Sequence, residues 1–232
     1  MGQLILVRHG QASFGAADYD VLSETGWAQG RALGTWLRDA GTTPTALISG
    51  GLRRHRETLE AMREAAGWTG PAVTVDAGWD EFDHLGIVAT HPDLPPGDLD
   101  RRAFQKAFEC ATAAWTAGSH TGDFESYADF LARVRASLAR AVSAAGSGET
   151  VIVVSSGGPI AAVCADLVSP EAAEGDTGGE EGDQAATGRV WTRFNTVAVN
   201  AAMTRVVVGA TGPRLLTFNE HAHVVGELLT YR

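Results

Sequence analysis

The run QLILV at residues 3–7 is continuous and apolar after its first residue, and it stops abruptly at Arg8-His9-Gly10. A strand buried on both faces reads this way, and such strands belong to parallel sheets covered by helices. A helical pattern follows. Ser23 offers an N-cap, Leu33, Trp36, Leu37 and Ala40 fall at i, i+3, i+4 and i+7, and Gly41 supplies a stop. TALIS (45–49) is a second strand, residues 52–66 form a second helix ended by Gly67, and AVTVD (72–76) is a third strand. This β-α-β-α-β alternation dictates an α/β fold with a mostly parallel central sheet.

Farther along, residues 77–100 are rich in Gly, Pro, Asp and His and read as a long loop, followed by helices over 101–117 and 124–145. Together, over about 82–125, they make a small lid above one end of the sheet. TVIVVSS (150–156) is the clearest central strand, and Gly157-Gly158-Pro159 leads straight into a helix, PIAAVCADLV. Two further strands are expected near 199–208 and 214–218. Between Arg140 and Arg189 there is no basic residue, and Glu171, Glu174, Asp176, Glu180, Glu181 and Asp183 crowd into one Gly/Ala-rich stretch. That stretch, 169–188, lacks the apolar surface needed for burial and reads as a solvated, mobile insert within a single domain covering 1–232.

Of 232 residues, 44% are hydrophobic, enough for one full core. The formal charge of −10 argues against nucleic acid and anionic membrane as partners, since both attract basic surfaces. No window approaches the ~20 uncharged apolar residues of a spanning helix, and MGQLILVRHG has none of the regions of an export signal. A soluble cytoplasmic protein, monomer or homodimer, is expected. Cys110 and Cys164 have neither the number nor the spacing of a disulfide framework or zinc site and read as reduced core thiols. No cofactor and no metal are expected.

In open α/β sheets, ligands bind beyond the carboxyl ends of the strands, where the next helices begin. Three polar groups lie there: Arg8-His9-Gly10, Arg53-Arg54-His55-Arg56 and Ser155-Ser156-Gly157-Gly158. Helix N-termini favour anions and arginine adds a bidentate fork, so these groups define an anion pocket. A neutral imidazole at a strand tip is a good in-line attacker on phosphorus, provided an acceptor holds its other ring nitrogen and fixes the tautomer.

The stretch LILVRHGQASF…YDVLSETGWAQGRALGTWL, followed by SGGLRRHRETLEA, resembles the histidine phosphatase superfamily, also called the phosphoglycerate mutase-like family. The likeness also covers about 150–168 and the tail from Asn200 to His223. Its most specific motifs are the strand ending in Arg-His-Gly and the segment carrying Ser49, Leu52, Arg54, Glu57 and Thr58. The resemblance implies a phosphoglycerate mutase-like three-layer α/β/α fold and a phosphomonoester phosphatase acting on a small-molecule phosphate ester. It makes His9 the nucleophile that becomes phosphohistidine, Arg8 and Arg54 the clamps on the equatorial oxygens, and Glu81 the general acid, with Asp80 and Asp83 as rivals. Gln11 and Ser13 follow the nucleophile where relatives often carry a polar residue touching phosphate.

The chain departs from the family at the central strand. Ser-His-Gly-Gly is usual there, with the histidine walling the phosphate pocket, whereas this chain reads Ser155-Ser156-Gly157-Gly158. Ser156 and the Gly157 amide remain as donors to phosphate, and weakened catalysis is expected from the loss of the imidazole. His55 falls on the stripe Leu52, His55, Leu59, Met62, Ala66 and reads as a packed core histidine. His84 reads as an exposed loop residue; His221 and especially His223 are candidates to close on the pocket. Phe82, Phe104, Phe108, Trp115, Phe124 and Tyr127 read as core or as a wall for a ring-bearing ester. Two alternatives stay open. A phosphate-binding pseudophosphatase draws on Ser156; a phosphoglycerate mutase-type phosphotransferase is weakened because HPDLPPGDLDRR lacks the preceding arginines and tyrosine.

Overall fold

The computed structural model describes every residue except 14–19, 91, 93–100, 121, 170–179 and 232. The sheet has the order β3-β2-β4-β1-β5-β6. Its parallel part consists of β1 (Gly2–Arg8), β2 (Ala46–Ser49), β3 (Val73–Val75) and β4 (Thr150–Ser155); the hairpin β5 (Met203–Gly209) and β6 (Gly212–Glu220) adds antiparallel to β1. Alternate residues of the central strands face opposite ways. Ile5, Val7, Ile152 and Val154 pack under α1 (Glu24–Asp39) and α2 (Arg53–Ala66), with Leu33, Leu37, Leu59 and Met62. Leu4, Leu6, Val151 and Val153 face the other layer, formed by α3 (His84–Ala89), α4 (Arg101–Thr116), α5 (Tyr127–Ala144), α6 (Gly157–Val168) and α7 (Glu180–Val197). All these strand residues are buried, so truncating one of the leucines to alanine costs about 2–5 kcal/mol.

The sequence set the ends of the first two helices in the expected way. Ser23 accepts a hydrogen bond from Gly26 N, and Gly67 closes α2 with φ 70°, a left-handed turn that glycine takes without penalty. Gly34 lets α1 and α2 approach, because a Cβ there would collide with the Met62 carbonyl. Residues 77–100 are not one long loop. They hold a 3-10 turn at Ala77–Trp79, capped by Asp76, and α3, capped by Asp83. Of the insert expected at 169–188, residues 180–188 are instead the first turns of α7, where Thr187 is buried. Residues 170–179 of it lie outside the described part. The expected lid is joined to the core, since Trp115 of α4 stacks on Phe82 at 4.7 Å and meets Tyr127, Phe130 and Trp191 edge-on or tilted. Among the described residues no helix is long and apolar enough to cross a membrane.

The register of the central pair positions the site. Arg8 lies opposite Ser155, so β1 and β4 end level and their next residues, His9 and Ser156, emerge together. Ser49 of β2 lies opposite Val154, which brings the start of α2 to the same edge.

Candidate active site

His9 leaves β1 held on three sides. Its amide donates to Ser155 O at 2.9 Å, and its carbonyl accepts from Ala201 N at 3.2 Å and Asn200 Nδ2 at 3.3 Å. The ring is fixed as well. Nδ1 lies 2.7 Å from Gly10 O, and because a carbonyl can only accept, Nδ1 carries the hydrogen. Nε2 is then the bare nitrogen, and it accepts from Arg54 Nε at 3.2 Å. Burial, followed by the Arg54 and Arg8 charges and then His55, holds the His9 pKa well below its usual 6.5. A neutral imidazole with a defined lone pair results.

The arginines reach the same place from different elements. Arg54, in the first turn of α2 and buried, pairs through Nη1 with Asp20 at 2.8 Å. Thr58 Oγ1, one helical turn on, donates to Arg54 O at 2.7 Å and accepts from Gly10 N at 3.0 Å, tying the nucleophile loop to α2. Arg8 donates from Nη1 to Ala198 O and, at 2.7 Å, to Tyr231 O. The tail is fastened there too. Gln29 Nε2 donates to Leu228 O at 2.7 Å and Thr230 Oγ1 at 2.8 Å, while Asn200 N donates to Thr230 O at 2.9 Å.

Glu81 follows the 3-10 turn. Ser155 Oγ donates to Trp79 O at 2.7 Å, and Arg133 of α5 donates to Gly78 O and Asp80 O at 3.0 and 2.7 Å, so the loop is anchored on both sides. The Glu81 carboxylate accepts from Gly158 N at 3.3 Å, at the start of α6. Its rivals are engaged elsewhere: Asp80 caps Gly51 N and Leu52 N at 2.5 and 3.3 Å, and Asp83 caps Gly86 N at 2.9 Å.

Arg8, His9, Arg54, Glu81 and Gly157 line one cavity of about 190 Å³, with Ala12, Phe82, Asn195 and Asn200, and with His84 and Leu85 from α3 and Phe104 and Phe108 from α4. Other expected contacts do not line it. Gln11 turns aside, its Oε1 accepting from Ser23 Oγ at 2.9 Å, and Ser13 donates its amide to Val21 O at 2.8 Å. His223 stands one step back: its Nε2 donates to Ala201 O at 2.9 Å, bracing a residue whose φ of 57° is left-handed and costly for alanine. His221 Nδ1 donates to Asn219 O at 2.6 Å. Ser156 is buried behind Gly157, and its Oγ lies 2.7 Å from Nε2 of His55. Asn195 was not foreseen, because α7 begins in an acidic, glycine-bearing sequence, and Asn200 was noted only as the start of the tail, not as a cavity residue. Of the two expected core thiols, Cys164 is one, its pKa pushed by burial up to about 12, whereas Cys110 is exposed on α4. Among the described residues there is no group of three or more His, Cys, Asp or Glu that could hold a metal ion.

A cavity with a bare imidazole nitrogen, two guanidinium groups and a carboxylate can accept a tetrahedral dianion and exchange its fourth substituent. Residues 4–178 match the profile of the histidine phosphatase superfamily (branch 1). Among solved structures, the chain is similar to a mycobacterial glucosyl-3-phosphoglycerate phosphatase, at 24% identity over 96% of this chain and 100% of the other, with a TM-score of 0.64. It is similar to YhfR of Bacillus stearothermophilus at 18% identity over 95% and 98% of the two chains, TM-score 0.67. A third likeness is to the Rv3214 protein of Mycobacterium tuberculosis, at 20% identity over 95% and 98%, TM-score 0.61. At these identities the likeness is one of fold. No curated protein sequence matches the chain.

Proposed function

Because the chain belongs to the histidine phosphatase superfamily, we propose that it is a phosphomonoester phosphatase working through a phosphohistidine on His9. Nε2 of His9 attacks phosphorus in line and the P–O bond to the leaving group breaks. Glu81, protonated, gives its proton to the departing oxygen. As a carboxylate it then takes a proton from water, which attacks the phosphohistidine, releases inorganic phosphate and returns Nε2 bare. Arg8 and Arg54 hold the equatorial oxygens throughout, and the α6 N-terminus with Gly157 adds donors. The substrate is a small-molecule phosphate ester and no metal takes part. The chain acts as one domain, with α3 and α4 as its cover.

The observation that carries this reading is the fixed His9 tautomer: Nδ1–H on Gly10 O and Nε2 turned toward Arg54 in a cavity shared with Glu81. The test is turnover of an aryl phosphate, with the phosphoenzyme quenched in alkaline denaturant and mapped by mass spectrometry. A phosphoryl group on His9, lost together with turnover in His9→Ala, is expected; turnover that persists in His9→Ala overturns the mechanism. A second reading, a phosphate-binding pseudophosphatase, is favoured by Ser156, which offers a hydroxyl where the family resemblance implies an imidazole. It predicts phosphate binding without turnover in the wild-type protein and activity gained in Ser156→His.

A further inference from the structure

His55 is completely buried, yet it is not surrounded by hydrocarbon alone. Its ring lies beside that of His9, with centroids 5.7 Å apart and planes tilted by 36°. Its Nε2 is 2.7 Å from Ser156 Oγ, a residue 101 positions away at the start of α6. Its Nδ1 has no hydrogen bond and lies 3.7 Å from the Asp80 carboxylate. Asp80 in turn caps the first amides before α2. So the buried His55 and Ser156, with the half-buried Asp80, form a polar row beside the nucleophile. A histidine serving only as filler would be replaced at lower desolvation cost by leucine or phenylalanine.

We infer that His55 is a positioning residue for phosphoryl transfer, supplying from α2, through the Ser156 hydroxyl, the support that the β4 tip does not supply by itself. The inference rests on the phosphatase reading above and adds a residue to it. The bond joins the residue after Arg54 to the residue before Gly157, so it fixes the cavity's guanidinium and the first α6 amide relative to each other. Both groups stay in register with His9 because His55 follows Arg54 directly in α2 and Ser156 directly follows Ser155, whose carbonyl holds the His9 amide. Burial first, then the Arg54 and Arg56 charges, hold the His55 pKa well below 6.5, so the pair works as a neutral hydrogen-bonded unit.

The test is a double-mutant cycle on the full chain, with His55→Phe, Ser156→Ala and both together, reading kcat and KM for an aryl phosphate beside the thermal midpoint. Each single change is expected to lower kcat by roughly 100-fold with KM within about threefold, and the double change to lower it no further. Moving the imidazole across the pair, in His55→Ala with Ser156→His, is expected to recover at least about tenfold of the kcat lost in His55→Ala. Folded His55→Phe and Ser156→Ala with kcat within about threefold of wild type overturn the inference. Should His55→Phe fail to fold, the Ser156→Ala result alone decides by the same criterion. Failure of the underlying reading looks different, because wild-type turnover is then absent or insensitive to His9→Ala.

Discussion

The two ends of the cavity are built on different principles. At the inner end every chemical group is tied to backbone or to a neighbour: His9 to Gly10 and Ser155, Arg54 to Asp20, the nucleophile loop to Thr58, Glu81 to Gly158. At the other end His84, Leu85, Phe104 and Phe108 present rings and a methyl-bearing side chain from α3 and α4, and Leu85 is largely exposed. Preorganised donors act on charge that any phosphate ester develops, whereas apolar walls act on whatever is attached to it. The inner end is therefore suited to the reaction, and the other end to the choice of leaving group.

That contrast breaks first at the nucleophile. His9→Ala is expected to reduce kcat by on the order of 10^4-fold or more for every ester tried, since removing the attacking group removes the covalent route. Arg54→Ala should cost roughly 10^3-fold in kcat/KM, again with little dependence on the leaving group, because the guanidinium acts on the phosphoryl oxygens and on His9 rather than on the leaving group. If either loss varies strongly between aryl and alkyl esters, the two ends are not separable. Phe104→Ala should show the opposite pattern. Its kcat is expected to stay within about threefold, with KM for an aryl phosphate rising roughly tenfold and KM for glycerol phosphate little changed, as measured by steady-state kinetics.

The smallest expected effect sharpens the contrast through pH. His9 and His55 are both buried and neutral, with folded pKa values well below 6.5. Their unfolded forms bind protons first as pH falls, so their contribution to stability is full above about 6.5 and declines as pH drops toward their lower folded values. Urea midpoints measured at pH 7.5 and 5.5 should fall on acidification, and His55→Phe, if folded, should flatten that fall. Over the same range His9 stays unprotonated in the folded enzyme, so kcat/KM should show no loss centred at 6.5.

Much of the inner end was legible because strand ends announce themselves. Arg8, His9 and Gly157 stop or follow buried runs, and the chemistry of an anion pocket follows from that placement. The other end was less so. α3 begins at His84 in a stretch whose Asp and Gly residues look like loop until Asp83 is seen capping Gly86, and Asn195 belongs to a helix whose first turns are acidic and glycine-bearing. Side-chain direction was the other blind spot. Gln11 and Ser13 are neighbours of the nucleophile in sequence but do not line its cavity, Gln11 turning to Ser23, and the helical stripe placed His55 in the interior without revealing the serine it meets. Pattern gives depth, and only the register of β1 against β4 gives the partner.

The tail bears on practical handling. Tyr231 accepts from the arginine preceding the nucleophile, and residues 228–230 are stapled to α1 and Asn200, whereas Met1 is 84% exposed. An affinity handle or fluorescent fusion joined after Arg232 would load the very strap that steadies Arg8, so engineered versions meant for kinetics belong with their additions at the amino end.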